Sequence, residues 1–196
     1  MWILSLLACA AVVAFSFVRM DVTLALHFWD AGRFLSPLSQ GFGAAVLLSA
    51  ETAVIIVIVI ARLARGHISA FAETLTIACL ASICTYGIND HVLKVFFGVP
   101  NPVDVIHGAR HSIHLWKGFG NSSFPSGHMA LAAAFAGVFM RLYKASVWPL
   151  CALLLLAAAL LLIGDWHFLS DLIAGSFLGL SAGILAAEGW AVHSSR

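Results

Sequence analysis

Residues 121–128 read Asn-Ser-Ser-Phe-Pro-Ser-Gly-His, a polar, turn-forming stretch that runs straight into the apolar residues 129–140. Pro125 fixes φ and suits the first turn of a helix. Ser126 and Gly127 would bring a hydroxyl and bare backbone N–H groups to that helix's N-terminus. Such an end attracts anions, because its amides are unpaired and the helix dipole is positive there. His128 adds a side chain that trades a proton near neutral pH. The plainer reading is an ordinary helix start with a serine cap and a stray histidine. A second constellation shifts the balance toward a phosphate site: Gly164-Asp165-Trp166-His167-Phe168-Leu169-Ser170-Asp171. His167 and Asp171 stand four apart and would share a helix face. A carboxylate bonded to one ring nitrogen fixes the tautomer and leaves the other nitrogen to attack. Both residues sit at the mouth of an apolar span, where an ionisable group is costly without a task.

The elements that must position these groups are written in the composition. The chain has 196 residues, 62% of them hydrophobic and 10% charged, with a mean hydropathy of +1.01. A soluble domain carries about 25% charged residues, so this is an integral, multi-pass membrane protein. The net charge of +1 gives no basic field for nucleic acid. Cys9, Cys79, Cys84 and Cys151 lie in apolar runs without metal-type spacing and read as buried thiols. Apolar runs at residues 2–18, 42–61, 70–93, 126–142, 147–164 and 168–190 predict an all-α bundle of six spans, a single domain over residues 1–196. The first run lacks a basic n-region, which favours a retained helix over a cleaved signal peptide. Residues 22–29 read as a short amphipathic piece along the interface.

Six spans put both ends of the chain on one side. The short basic loops with Arg62, Arg65 and His67, and with Arg141 and Lys144, fall on that same side, which the positive-inside rule makes cytoplasmic. The 98–123 loop and the 164–167 junction then share the outer face. The expected setting is a bacterial inner membrane with the site facing the periplasm or exterior. Gly175, Gly179 and Gly183 recur every four residues and read as a helix-packing stripe.

Lys94 with Asn101-Pro102, then Pro125-Ser126-Gly127-His128, then His167-Phe168-Leu169-Ser170-Asp171 resemble the three signature motifs of the type 2 phosphatidic acid phosphatase superfamily. The resemblance implies that His167 is the nucleophile that takes the phosphoryl group, that Asp171 orients it, and that His128 protonates the leaving oxygen. It implies that Lys94, Ser126, Gly127 and the residue at Asn101 bind phosphate oxygens, and that no metal or other cofactor is needed. Two positions depart from the pattern. Asn101 stands where the first motif has arginine, and Leu161 stands where the third motif has one. Each lost guanidinium would have offered forked, charged donors. Arg110, Lys117 or a loop histidine (His107, His111, His114) could supply the charge from elsewhere. Alternatively, the reacting phosphorus is a diester with less charge to neutralise.

The remaining ionisable residues have blander readings. Asp165 could orient an acceptor hydroxyl or water or pair with a basic loop residue, but capping preference favours an N-cap for the sixth span. Asp90, four before Lys94, suggests an ion pair. Glu51, inside the second span, must face the bundle or a cavity. The expected activity is a membrane lipid phosphatase working through a phosphohistidine on a lipid phosphate substrate. The alternatives are a lipid phosphotransferase or diester-cleaving enzyme, and an inactive lipid-binding protein.

Overall fold

A computed structural model describes residues 2–35, 40–117 and 122–194. Its order is α1 (Trp2–Arg19), α2 (Asp21–Leu35), α3 (Gln40–Arg65), α4 (Ala70–Ile88), a π-helical turn (Asn89–Leu93), α5 (Lys94–Phe97), α6 (Pro102–Ile106), α7 (Gly127–Leu142), a 3₁₀ turn (Lys144–Ser146), α8 (Val147–Ile163) and α9 (Leu169–Ser194). The architecture is the expected all-α membrane bundle. Five stretches are long and apolar enough to cross a bilayer: Trp2–Arg19, Gly43–Arg65, Ala70–Phe97, Lys144–Ile163 and Leu169–Val192. The sixth expected span is the shorter apolar helix Gly127–Leu142.

That helix can be short because it meets protein rather than lipid. Met129, Ala130, Leu131, Ala133, Ala134 and Val138 of α7 are all buried. Its most extensive partner is α9, followed by α4. The glycine stripe makes the α7–α9 approach possible. A Cβ on Gly175 would strike the Ser126 carbonyl oxygen, one on Gly179 the Ala130 carbonyl oxygen, and one on Gly183 the Ala134 carbonyl oxygen. Small residues let two backbones touch, and dispersion between close-packed atoms then holds helices together where lipid offers no hydrophobic drive. The peripheral helices show the opposite pattern. Leu63 of α3, Leu155 of α8 and Val18 of α1 are exposed, as lipid-facing side chains should be.

Three details differ from the sequence reading. The residues read as a short interfacial piece belong to a full helix, α2, whose first residue Asp21 is 1% exposed. The long loop carries the small helix α6, and its two ends pair: Ser123 N–H donates to the Val99 carbonyl at 2.9 Å, and Pro100 bridges Ser122. Asn121, the first residue of the motif stretch, lies outside the described residues. Of the cysteines only Cys79 is buried; Cys84 is exposed, and Cys9 and Cys151 are half-buried.

Candidate active site

The first turn of α7 is built from its own sequence. Ser126 is the N-cap, its Oγ accepting from Met129 N–H at 3.3 Å. That bond satisfies one of the helix's orphan donors. The serine expected to hold phosphate is therefore a cap and an acceptor, with its hydroxyl proton left to donate. Gly127 is set by a close approach: a Cβ there would lie 3.1 Å from the Tyr86 ring. Asn89, in the π-helical turn, donates its side-chain N–H to the Pro125 carbonyl at 3.0 Å and is fully buried. A π-turn re-aims side chains inside a helix; here it sends Asn89 to the Pro-Ser-Gly-His loop. The same turn places Asp90 against Lys94, Oδ1 to Nζ at 2.9 Å, the expected ion pair.

The start of α9 is assembled from three places in the chain. Asp171, in its first turn, accepts from Phe168 N–H at 2.9 Å. This is the carboxylate half of a capping box. Asp21, from α2, accepts from Ser170 N–H at 3.0 Å and from Ser170 Oγ at 2.5 Å. A carboxylate 149 positions away thus caps the helix that follows the expected nucleophile. The Ser126 N–H donates to the Asp171 carbonyl at 3.0 Å and joins the two histidine-bearing segments.

These braces bring the histidines together. His128 Nδ1 and His167 Nε2 are 3.3 Å apart, with the rings nearly edge to face. His167 Nδ1 lies 3.6 Å from Asp171 Oδ2. That is longer than the hydrogen bond expected from the spacing, and Phe168 N–H donates to the same oxygen. Burial lowers the His167 pKa to about 3, the Lys94 charge acting the same way and the Ser123 carbonyl opposing both. His167 is therefore a neutral imidazole throughout the physiological range. The Lys94 charge also bears on Asp171.

The positions that lack arginine are occupied for other purposes. Leu161 is 7% exposed and packs with Met129 and Leu172, against Trp166. A guanidinium there would enter an apolar cluster. Asn101 caps α6, its Oδ1 accepting from Asp104 N–H at 2.8 Å. Arg110, Lys117 and His107 are exposed. His111 is the loop residue that comes inward. It stacks on Phe17 at 4.2 Å, lies over Phe168 at 4.4 Å, and sets Nε2 3.6 Å from Asp21 Oδ2. Burial lowers its pKa, partly offset by Asp21 and Asp171. Burial also raises the Asp21 pKa, against its bonds from Ser170.

Asp165 is not the cap of the last span. α9 begins four residues later, and the cap acceptors are Asp171 and Asp21. Asp165 instead occupies a turn at φ 53, 3% exposed, and burial raises its pKa to about 6. A left-handed φ is tolerated by aspartate better than by most residues. Asp21 and Ser123 are the members of this site that the sequence reading missed. Ser123 bonds His167 through its backbone, and its Oγ donates to the Pro100 carbonyl at 3.2 Å. No local spacing announces Asp21; its one sequence signal is an acidic residue at a helix start.

The arrangement can do phosphoryl chemistry: a neutral, buried imidazole nitrogen, a second histidine at hydrogen-bonding distance, and a cation whose field reaches His167. A family model described as PAP2 superfamily matches residues 74–192. No curated protein and no solved structure matches the chain.

Proposed function

Because the chain belongs to the PAP2 superfamily, a family of phosphatase and phosphotransferase type, we propose that it is a lipid phosphate phosphatase acting through a phosphohistidine on His167. The observation that carries this reading is the 3.3 Å contact between His128 Nδ1 and His167 Nε2. Burial keeps His167 neutral, so Nε2 holds a lone pair for phosphorus. With His167 in the Nδ1–H tautomer, His128 donates to that lone pair in the resting pair. An arriving phosphoryl group parts the two rings. Nε2 forms the N–P bond, the P–O bond to the lipid breaks, and His128 gives its proton to the leaving oxygen. His128 then takes a proton from water, whose oxygen attacks phosphorus and releases His167. Asp171 stabilises the cationic ring from 3.6 Å. Lys94, the Gly127 and His128 amides at the α7 N-terminus, the Ser126 hydroxyl and the Asn101 amide are the groups for the phosphate oxygens.

A second reading, transfer or cleavage of a phosphodiester head group, is favoured by one observation. Leu161 lies in an apolar cluster and Asn101 caps a helix, so Lys94 is the cation whose charge bears on His167. A diester presents one ionised oxygen and needs fewer cations than a monoester. The site lies on the outer face of a bacterial inner membrane in this proposal, following the basic loops at Arg62–Arg65 and Arg141–Lys144.

The test is a mass-spectrometric screen of purified protein in detergent, with His167→Ala as control. One lipid set holds phosphomonoesters and diphosphates, the other phosphodiesters with candidate acceptors. Phosphate release from the first supports the phosphatase. Head-group exchange restricted to the second supports the transferase. Full activity in folded His167→Ala would remove the phosphohistidine mechanism.

A further inference from the structure

Eight positions separate Gly43 from Glu51 on α3. Gly43 borders the site: a Cβ on it would lie 3.4 Å from His128 Nε2. At 1.5 Å per residue, Glu51 is about 12 Å deeper along the helix axis. There it is 9% exposed, and its Oε2 is buried with no hydrogen-bond partner. Ser82, which lies beside it, spends its hydroxyl proton on the Leu131 carbonyl at 3.0 Å.

Glu51 faces a cavity of about 420 Å³ lined by Leu47, Leu131, Phe135, Leu154 and Cys79 among others. It brings the only oxygen-bearing side chain to that lining among the described residues. Its lining comes from α3, α4, α7 and α8. α3 and α8 do not pack on each other among the described residues. On α7 the lining starts at Leu131, one turn below His128. The upper end of the groove thus lies one helical turn from His128, and Glu51 lines the groove itself.

Ser82 is the neighbour that can bond the carboxyl, and the remaining oxygen, Oε2, is a buried polar atom left unpaired at a depth where that is costly. An alkyl chain alone would leave that cost in place. We propose that the groove holds the hydrocarbon chain of the lipid phosphate substrate and that Glu51 selects a chain bearing a hydroxyl about 12 Å from the phosphorus. A hydroxyl donates and accepts, so it satisfies a carboxyl in either protonation state. This deepens the lipid phosphatase reading and rests on it for the identity of the bound phosphate. A site built to bond a hydroxyl discriminates against the chain that lacks it, because the buried carboxyl is then left unsatisfied.

The experiment uses the full chain in detergent and two phosphatidic acids, identical except for one hydroxyl on an acyl chain at the matching distance. Native mass spectrometry reads lipid retention, and phosphate release is followed separately. The hydroxylated lipid should be retained about tenfold more tightly by the wild-type protein, the worth of one buried hydrogen bond. Glu51→Leu should bring the two lipids to within about twofold, and Glu51→Gln, which still donates and accepts, should keep a preference above about threefold. Moving the hydroxyl to the chain terminus should abolish the preference in the wild type. Equal retention of the two lipids by the wild type overturns the proposal. So does a preference that survives Glu51→Leu or ignores hydroxyl position. Tenfold retention without phosphate release would leave the groove assignment standing and remove the catalytic reading. Phosphate release with equal retention would do the reverse.

Discussion

Removing Asp21 tests the link between fold and site most directly, because no motif contains it. Its carboxylate takes two hydrogen bonds from Ser170, at 3.0 Å and 2.5 Å, while 1% exposed. Hydrogen bonds to charged groups contribute about 1.5–3 kcal/mol each, and an anion at a helix N-terminus adds about 0.3–1 kcal/mol. Burial opposes part of this, since it raises the Asp21 pKa. Asp21→Ala should therefore destabilise the protein by about 3–5 kcal/mol, and Ser170→Ala by about 1.5–3 kcal/mol. In the double variant the effects should not add; the coupling should be about 1.5–3 kcal/mol, the worth of the Oγ–Oδ2 bond. The assay is unfolding of the four proteins in one detergent, paired with turnover. Turnover should fall through kcat more than KM, because Asp21 caps the turn that holds Asp171 and follows His167, while Ser126 meets that turn through a single backbone bond. Asp21→Asn keeps one acceptor and should recover about half the loss. Coupling below about 0.5 kcal/mol, or unaltered kcat in folded Asp21→Ala, would refute the trans-capping argument.

Other outcomes follow from the same geometry. Lys94→Ala should lower kcat/KM by about a hundredfold or more, as loss of a charged stabiliser does, whereas Arg110→Ala and Lys117→Ala, at exposed positions, should stay within about threefold; steady-state kinetics on one substrate decides. Gly175→Ala forces a Cβ onto the Ser126 carbonyl and should cost about 1–3 kcal/mol while impairing activity more than Gly183→Ala, which presses on Ala134 well away from the histidines. Acid should destabilise the fold through His167. Its pKa is lowered from 6.5 to about 3, so between those values the unfolded chain binds a proton that the folded one does not. Stability from this group is complete above pH 6.5 and falls toward pH 3 by up to about 1.4 kcal/mol per pH unit. Asp165, raised from 3.8 to about 6, opposes it, because the folded state takes up a proton first between those values. His167→Gln should flatten the fall in unfolding temperature on acidification, and Asp165→Asn should steepen it.

Local patterns carried the bundle and the grouping of His128, His167 and Asp171. Long apolar runs can satisfy their backbone only as helices in lipid, so composition fixed an all-α membrane bundle with its spans near their observed bounds. The spacing of Pro125-Ser126-Gly127-His128 and of His167 and Asp171 is a within-turn property, and it named the residues that meet at the site. The glycine stripe of α9 is likewise periodic, and it is the face that packs on α7. What joins distant positions is not periodic and left no such mark. Asp21 reaches Ser170, His111 reaches Asp21, and Asn89 reaches Pro125 only because α2, the outer loop and the π-turn are folded against α7 and α9. Capping preference alone assigned Asp165 to the end of α9. The tertiary structure gives that task to Asp171 and Asp21, because a carboxylate from another helix satisfies the same orphan amides as well as a local one. Leu161 shows the same division. The sequence reveals a missing arginine, but only packing shows that Met129, Leu172 and Trp166 have closed an apolar cluster over the place where the charge would have stood.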